Sequence, residues 1–193
     1  MENREATPAQ RQTPDMSADR AKFALKLARP GRWAPAQAYA RPVARPLRIQ
    51  VAGGTYHVTS RGNRRQAIYQ DDDDRRQFLA FHDRVVQRYG WVLHAYCLMT
   101  NHFHLLVETP EPNLSAGMQR LKSEYATYFN DRFALVGHLF QQRFGSSLIE
   151  GDEYYTEALR YIAFNPVKAG LCQHPTDWPW SSFFGAKELR FDR

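Results

Sequence analysis

MTNHFHLLVET, residues 99–109, sets two histidines on either side of one phenylalanine at the head of an apolar run. Alternate residues of a β-strand share a face, so the spacing predicts His102, His104, Leu106 and Glu108 on one side and Phe103, Leu105 and Val107 on the other. Two neutral imidazoles projecting together from a rigid strand form half of a metal site. Two ligands are too few, and the rest of the chain must supply more.

Working outward, WVLHAYCLM (91–99) reads as the preceding strand, joined to the histidine strand by a turn at Thr100 and Asn101. Upstream, TYHVTSR (55–61) alternates as a strand ended by Gly62 and Asn63. Between these strands Phe78, Phe81, His82, Val85 and Tyr89 recur at helical spacing up to a stop at Gly90. Downstream, Asn113 is expected to cap a helix with the stripe Leu114, Met118, Leu121, Tyr125 and Tyr128. A strand near SSLIE (146–150) completes the set. The order predicts an α+β fold: a ferredoxin-like split βαβ antiparallel sheet with helices on one face, the histidine strand central, plus a C-terminal catalytic helix.

That last helix begins after Asp152, with Glu153 in its first turn, and is expected to stop at Pro166. Tyr155, Leu159 and Ile162 form its apolar stripe. Tyr161 and Asn165 are four residues apart, roughly 40° around the axis, and so neighbours on a second face. They bring a possible third ligand beside a possible nucleophile. With the Asn165 carbonyl oxygen, His102 and His104 would hold one divalent ion by mixed nitrogen and oxygen ligation, which suits Mg²⁺ or Mn²⁺, with zinc also open. The ion would polarise a phosphodiester while Tyr161 attacks phosphorus. The bland alternatives stay open on residue types alone: a structural His-x-His pair, a packed tyrosine, and an asparagine at a helix end.

Composition bounds the setting. The chain has 193 residues, 43% of them hydrophobic, enough for one good core. The net charge of +6 lies in residues 1–50, with 10 Lys and Arg against 4 Asp and Glu, whereas residues 51–193 hold 16 of each. The first segment also carries 6 of the 11 prolines and no sustained period, so it reads as a disordered or loosely ordered basic tail, with residues 51–193 as the catalytic domain. Any polyanion contact in the folded part must use local patches such as RGNRR (61–65), with Arg75 and Arg76 following. Cys97 and Cys172 form no CxxC pair, no leader or membrane-spanning run is visible, and a cytoplasmic protein with reduced thiols is expected, with no membrane partner.

Several blocks together resemble the single-stranded-DNA tyrosine transposases of the HUH class, in particular the REP-associated tyrosine transposases: YHVTSRGNRRQAIY (56–69), AYCLMTNHFHLLVETP (95–110), GHLFQQRFGS (137–146), LRYIAFNPVKAGL (159–171) and DWPWSS (177–182). The resemblance implies that His102 and His104 hold a divalent metal, that Asn165 is its third ligand, and that Tyr161 is the nucleophile. It implies cutting one DNA strand at a hairpin-forming palindrome through a 5′-phosphotyrosine, with a free 3′-hydroxyl and rejoining by the reverse attack. Single-stranded hairpin DNA is then the partner, and either a monomer or a homodimer fits. Arg61, Asn63, Arg64, Arg65, Lys122 and Arg143 are candidates for DNA contacts. Trp178 and Trp180 are read as packing, His57 as an extra polar group beside the metal, and His94, His138 and His174 as structural or exposed. The first 50 residues have no counterpart in the family's core domain. Two rival functions remain: a binding module that grips structured nucleic acid without cutting, and a metal-dependent phosphodiesterase in which water attacks.

Overall fold

The histidine strand is flanked on both sides. Strand β1 (Gly54–Arg61) pairs antiparallel with β3 (His102–Thr109), β2 (Val92–Leu98) pairs antiparallel with the other side of β3, and β4 (Gly145–Leu148) pairs antiparallel with β1. The order is β2-β3-β1-β4, the split βαβ arrangement, in a computed structural model that describes residues 50–191. The expected basic tail, apart from Gln50, lies outside the described residues. Helix α1 (Asp72–Tyr89) crosses from β1 to β2, α2 (Leu114–Phe133) from β3 to β4, and α3 (Asp152–Lys168) follows β4. No described helix is long and apolar enough to cross a membrane.

The strand alternation sorts the core into two layers. Val58, Phe103, Leu105 and Val107 meet Phe78, Phe81 and Val85 of α1 and Met118, Leu121 and Tyr125 of α2 on one face. Ala95, Cys97 and Leu106 meet Tyr155, Leu159 and Ile162 of α3 on the other. The C-terminal helix therefore covers the face that carries the histidines, opposite the helix pair. A β-bulge at His94 makes this possible: Leu93 pairs with Val107 but Ala95 pairs with Leu106, so one extra residue shifts which β2 side chains face α3.

Local signals act mostly as expected, with informative exceptions. The Asp71 side chain caps α1 by accepting from Asp74 N at 3.1 Å, and Gly90 closes the helix in the left-handed region at φ 67. Asn113 precedes α2 but its side chain makes no cap bond; Oδ1 accepts from Trp91 Nε1 at 2.6 Å and Nδ2 donates to Tyr89 O. The indole outcompetes the helix end because a buried N–H with no partner costs more than one at a solvated helix start. Gln50 Oε1 instead accepts from Ser115 N. Phe129, rather than Tyr128, extends the fully buried stripe of α2; Tyr128 packs at its edge and gives its hydroxyl to Asp74. Pro166 does not end α3, which runs two residues further to Lys168. Proline removes its own N–H and crowds the carbonyl four residues earlier, but near a helix end the bonds beyond it still form: Ala169 N donates to Asn165 O and Leu171 N to Pro166 O.

The DWPWSS segment closes the free edge of β2. Leu98 N donates to Trp180 O at 2.8 Å and Ser182 N to Tyr96 O at 3.1 Å, covering groups that would otherwise invite a foreign strand. Both tryptophans pack. Trp178 Nε1 donates to Leu98 O, and the Arg75 guanidinium lies 5.5 Å from the Tyr69 and Trp180 rings and 6.0 Å from Trp178. Arg75 is thus spent inside the fold, and Arg76 pairs with Asp73 at 2.6 Å, so neither adds to a free basic patch.

Trp91 also explains Gly117. A Cβ there would meet Trp91 Cζ2 at 2.2 Å, and the indole cannot swing away because Asn113 holds its N–H. Gly117→Ala is expected to lower stability by about 1–3 kcal/mol through overpacking, read as a lower urea midpoint at unchanged slope.

Candidate functional site

Because β1 runs beside β3, His57 joins the two strand histidines from the neighbouring strand. His57 Nε2 is 3.0 Å from His104 Nδ1 and the two rings stack with centroids 5.2 Å apart. The His102 and His104 rings lie 5.1 Å apart, edge to face. Helix α3 crosses above them and lays the Tyr161 ring 5.5 Å from His104 and 5.6 Å from His57. One turn later the Asn165 side chain lies beside His102, and its Nδ2 donates to Tyr161 O. The strand pair and the helical pair, about 60 residues apart in the chain, thus converge at one place. Tyr161 remains 45% exposed, so its phenol is open to a substrate.

The histidines are neutral by construction. Burial pushes His104 down to about 2, with His57, His102 and Arg61 adding repulsion, and pushes His102 down to about 4, with Arg61 adding to it. Burial also lowers His57, and on the opposite face the fully enclosed His82. Neutral imidazole is the form that binds a metal.

Hydrogen bonds then choose the tautomers. Asn101 Nδ2 donates to Arg65 O at 2.8 Å, which turns its Oδ1 toward His102 Nδ1 at 2.7 Å. With that Nδ1 carrying the proton, the lone pair of His102 is on Nε2. His104 Nδ1 faces His57, and its Nε2 is buried with no protein hydrogen-bond partner. A buried ring nitrogen left without a partner is costly unless a ligand meets it. Ligating histidines characteristically engage their second nitrogen in a hydrogen bond of this kind. The donor set therefore fits a divalent ion: two imidazole nitrogens and one amide oxygen, with positions left for substrate. No group of three or more His, Cys, Asp or Glu arranged for a metal occurs among the described residues.

The same burial makes the fold acid-sensitive. A histidine whose folded pKa is lowered binds its proton in the unfolded chain first, near pH 6.5, so stability is intact above that value and falls as pH drops toward the folded pKa. For His104 this amounts to on the order of 1–2 kcal/mol between pH 6.5 and 5. Urea midpoints measured in EDTA are expected to fall steadily from pH 7.5 to 5; a flat profile would contradict the burial of these rings.

The six candidate DNA-contact residues do not form one cluster. Arg61 is exposed and is the Cα partner of His102, at the rim of the histidine site. Arg64 and Arg65 are exposed on a 3-10 turn (Asn63–Arg65), both at positive φ. Asn63, Lys122 and Arg143 instead line a groove of about 950 Å³ between α2 and residues 137–144. Lys122 is engaged there, donating to Gln142 O at 2.7 Å with its ammonium 4.7 Å from the Phe140 ring. The groove wall holds no acidic residue among those described and has Met118, Phe140 and Phe144 as apolar surface. Backbone bonds tie the two regions: Asn63 N donates to Leu139 O and Gln141 N to Arg61 O.

Two residues escaped the sequence reading. Asn101, which orients His102, was visible only as a turn residue. Lys168 places its ammonium 5.2 Å from the Tyr161 ring, and its spacing of two helical turns was a readable signal. His94, expected to be structural or exposed, is hydrogen-bonded to both Tyr155 and Glu108. His138 lines the groove, and His174 caps a 3-10 turn (Pro175–Asp177).

Comparison with known proteins fits this picture. Over 118 residues the chain is 29% identical to a Haemophilus influenzae protein named as a REP-associated tyrosine transposase, a match covering 55% of this chain and 67% of the relative. An Escherichia coli REP-associated tyrosine transposase is 26% identical over 93 residues, 47% of this chain and 53% of that protein. The matches thus span between about half and two thirds of these relatives. A solved structure of a REP-associated tyrosine transposase bound to a REP hairpin shares the fold, with a TM-score of 0.64 at 23% identity over 77% of this chain and 89% of that one. The family model described as "Transposase IS200 like" matches residues 50–165, from the first described residue to the asparagine beside Tyr161, and the chain belongs to that family.

Proposed function

We propose that this protein nicks and rejoins single-stranded DNA at hairpin-forming palindromes through a covalent 5′-phosphotyrosine on Tyr161, as a transposase or an enzyme that processes repeated palindromes. The observation that carries this reading is the Tyr161 ring packed over His57 and His104, with both strand histidines presenting Nε2. Similarity to REP-associated tyrosine transposases, one of them solved with a REP hairpin, supports the choice of hairpin DNA. His102, His104 and Asn165 would hold a divalent ion, Mg²⁺ or Mn²⁺ by donor type. Such an ion supplies Lewis-acid polarisation of the scissile phosphodiester and neutralises charge on its oxygens.

The chain's own residues do the rest. Tyr161 Oη forms a bond to phosphorus as the bond from phosphorus to the 3′ oxygen breaks; the phenolic proton passes through solvent to the departing 3′-hydroxyl. A neutral phenol is a weak nucleophile, and the Lys168 ammonium, 5.2 Å from the Tyr161 ring, places a positive charge beside the attacking side chain. Rejoining is the same displacement reversed. Arg61, Arg64 and Arg65 would take phosphates at the rim of the site, and Asn63, Lys122 and Arg143 would hold the strand along the groove.

The test is an incubation with 5′-labelled and 3′-labelled hairpin oligonucleotides, with Mn²⁺ or Mg²⁺ and then with EDTA, resolved on a denaturing protein gel. The 3′-labelled fragment is expected to migrate with the protein only when metal is present. Cutting without capture would make water the nucleophile, and binding without cutting would make this a recognition module. Asn101→Ala is expected to weaken metal affinity about 10- to 100-fold by releasing the His102 ring, measured by titrating Mn²⁺ against cleavage rate.

A further inference from the structure

Helix α3 is hung between two glycines in the left-handed region, Gly151 at φ 90 and Gly170 at φ 70. Its buried stripe of Ala158, Leu159, Ile162 and Ala163 is apolar, and apolar burial is non-directional. Packing alone therefore leaves the helix free to slide or roll by the small distance that would spoil the position of Tyr161. A directional contact sits in its first turn. Tyr155, only 5% exposed, has its hydroxyl 3.0 Å from His94 Nδ1, and His94 Nε2 lies 3.2 Å from Glu108 Oε2. The Tyr155 and His94 rings meet edge to face at 5.4 Å.

The strand pays for this arrangement with an irregularity. His94 is the extra residue of the β2 bulge, and such bulges re-aim a side chain near functional sites. Glu108 lies on the same strand and face as His102 and His104, so the chain of hydrogen bonds refers the helix to the strand that carries the metal-site candidates. Tyr161 follows Tyr155 by six residues, roughly 9 Å along the helix.

We propose that Tyr155, His94 and Glu108 form a latch that sets the register of α3 on the sheet and so positions Tyr161 over His104. They are positioning residues, remote from the reacting atoms, and this role rests on the reading of Tyr161 as the nucleophile. One tautomer satisfies the whole chain: the Tyr155 hydroxyl donates to Nδ1 and the proton on Nε2 is donated to Glu108.

The test compares the wild type with Tyr155→Phe, His94→Ala and Glu108→Gln. In Tyr155→Phe and His94→Ala the amides of residues 152–168 are expected to exchange hydrogen about tenfold faster while those of α1 and α2 keep their protection. Single-turnover cleavage of a hairpin should slow about tenfold with hairpin affinity changed less than about twofold, the pattern of lost positioning rather than lost binding. Glu108→Gln keeps an acceptor for His94 and should behave as wild type in both measurements. Unchanged exchange in residues 152–168 of Tyr155→Phe would overturn the latch, as would a uniform rise across all elements, which would make Tyr155 an ordinary core residue. The exchange measurement needs no cleavage, so it decides the latch even if the nuclease reading fails.

Discussion

Tyr161→Phe is expected to abolish covalent capture of DNA and to lower strand cleavage by at least about a thousandfold, with hairpin binding retained. The substitution removes one oxygen from a side chain that is 45% exposed and touches the histidine rings only through its ring, so the fold should be indifferent to it. Thermal midpoint and hairpin affinity are the controls. If the phenylalanine variant still cuts, attack by water is the reaction and Tyr161 only positions substrate. If wild type and variant both bind and neither cuts, the protein is a recognition module. A complementary loss is expected from His104→Ala, whose ring is enclosed and whose Nε2 has no other use within the protein.

Phe78→Ala is expected to cost about 3–5 kcal/mol, the largest stability effect of any single truncation considered. Phe78 is fully buried where α1, α2 and β3 meet, with ring centroids 4.8 Å from Phe103, 5.1 Å from Tyr125 and 5.6 Å from Tyr69. Tyr125 cannot collapse into the void, because its hydroxyl is tied to Ile68 O. A thermal midpoint lower by about 10 °C or more is the corresponding signal for a domain of this size. Because Phe78 lies on the face opposite Tyr161, cleavage per folded molecule should be unchanged at temperatures where the variant stays folded. A loss of cleavage without loss of stability would mean that the two faces of the sheet are coupled.

Where tertiary contacts merely agree with local preference, the sequence reads well. The alternation of HFHLLVET, the helical spacing of Phe78, Phe81, His82 and Val85, and the stop at Gly90 all survive in the fold, because each burial choice is dictated by the period of its own element. Asn113 and Pro166 show where that logic stops. An asparagine before a helix is a cap only if nothing else claims its amide, and here Trp91, 22 residues away, does. A proline ends a helix only if the last turn cannot re-form its bonds, and here Ala169 and Leu171 donate across it.

The candidate site divides in the same way. His102 and His104 on one strand face, and Tyr161 with Asn165 on one helix face, follow from periodicity within single elements, so the sequence by itself determined these pairs and the α+β sheet that carries them. Only the tertiary structure decided that the pairs meet, since that depends on α3 lying over the histidine face rather than beside α1 and α2. It also decided which nitrogen of His57 meets His104, that Asn101 sets the His102 tautomer, and that the basic residues split between the rim and a groove. Each of these is a contact between groups far apart in the chain or a choice among hydrogen-bond partners. Their formation depends on strand order, on one bulged residue at His94, and on burial of imidazoles among apolar neighbours, and no local pattern encodes those.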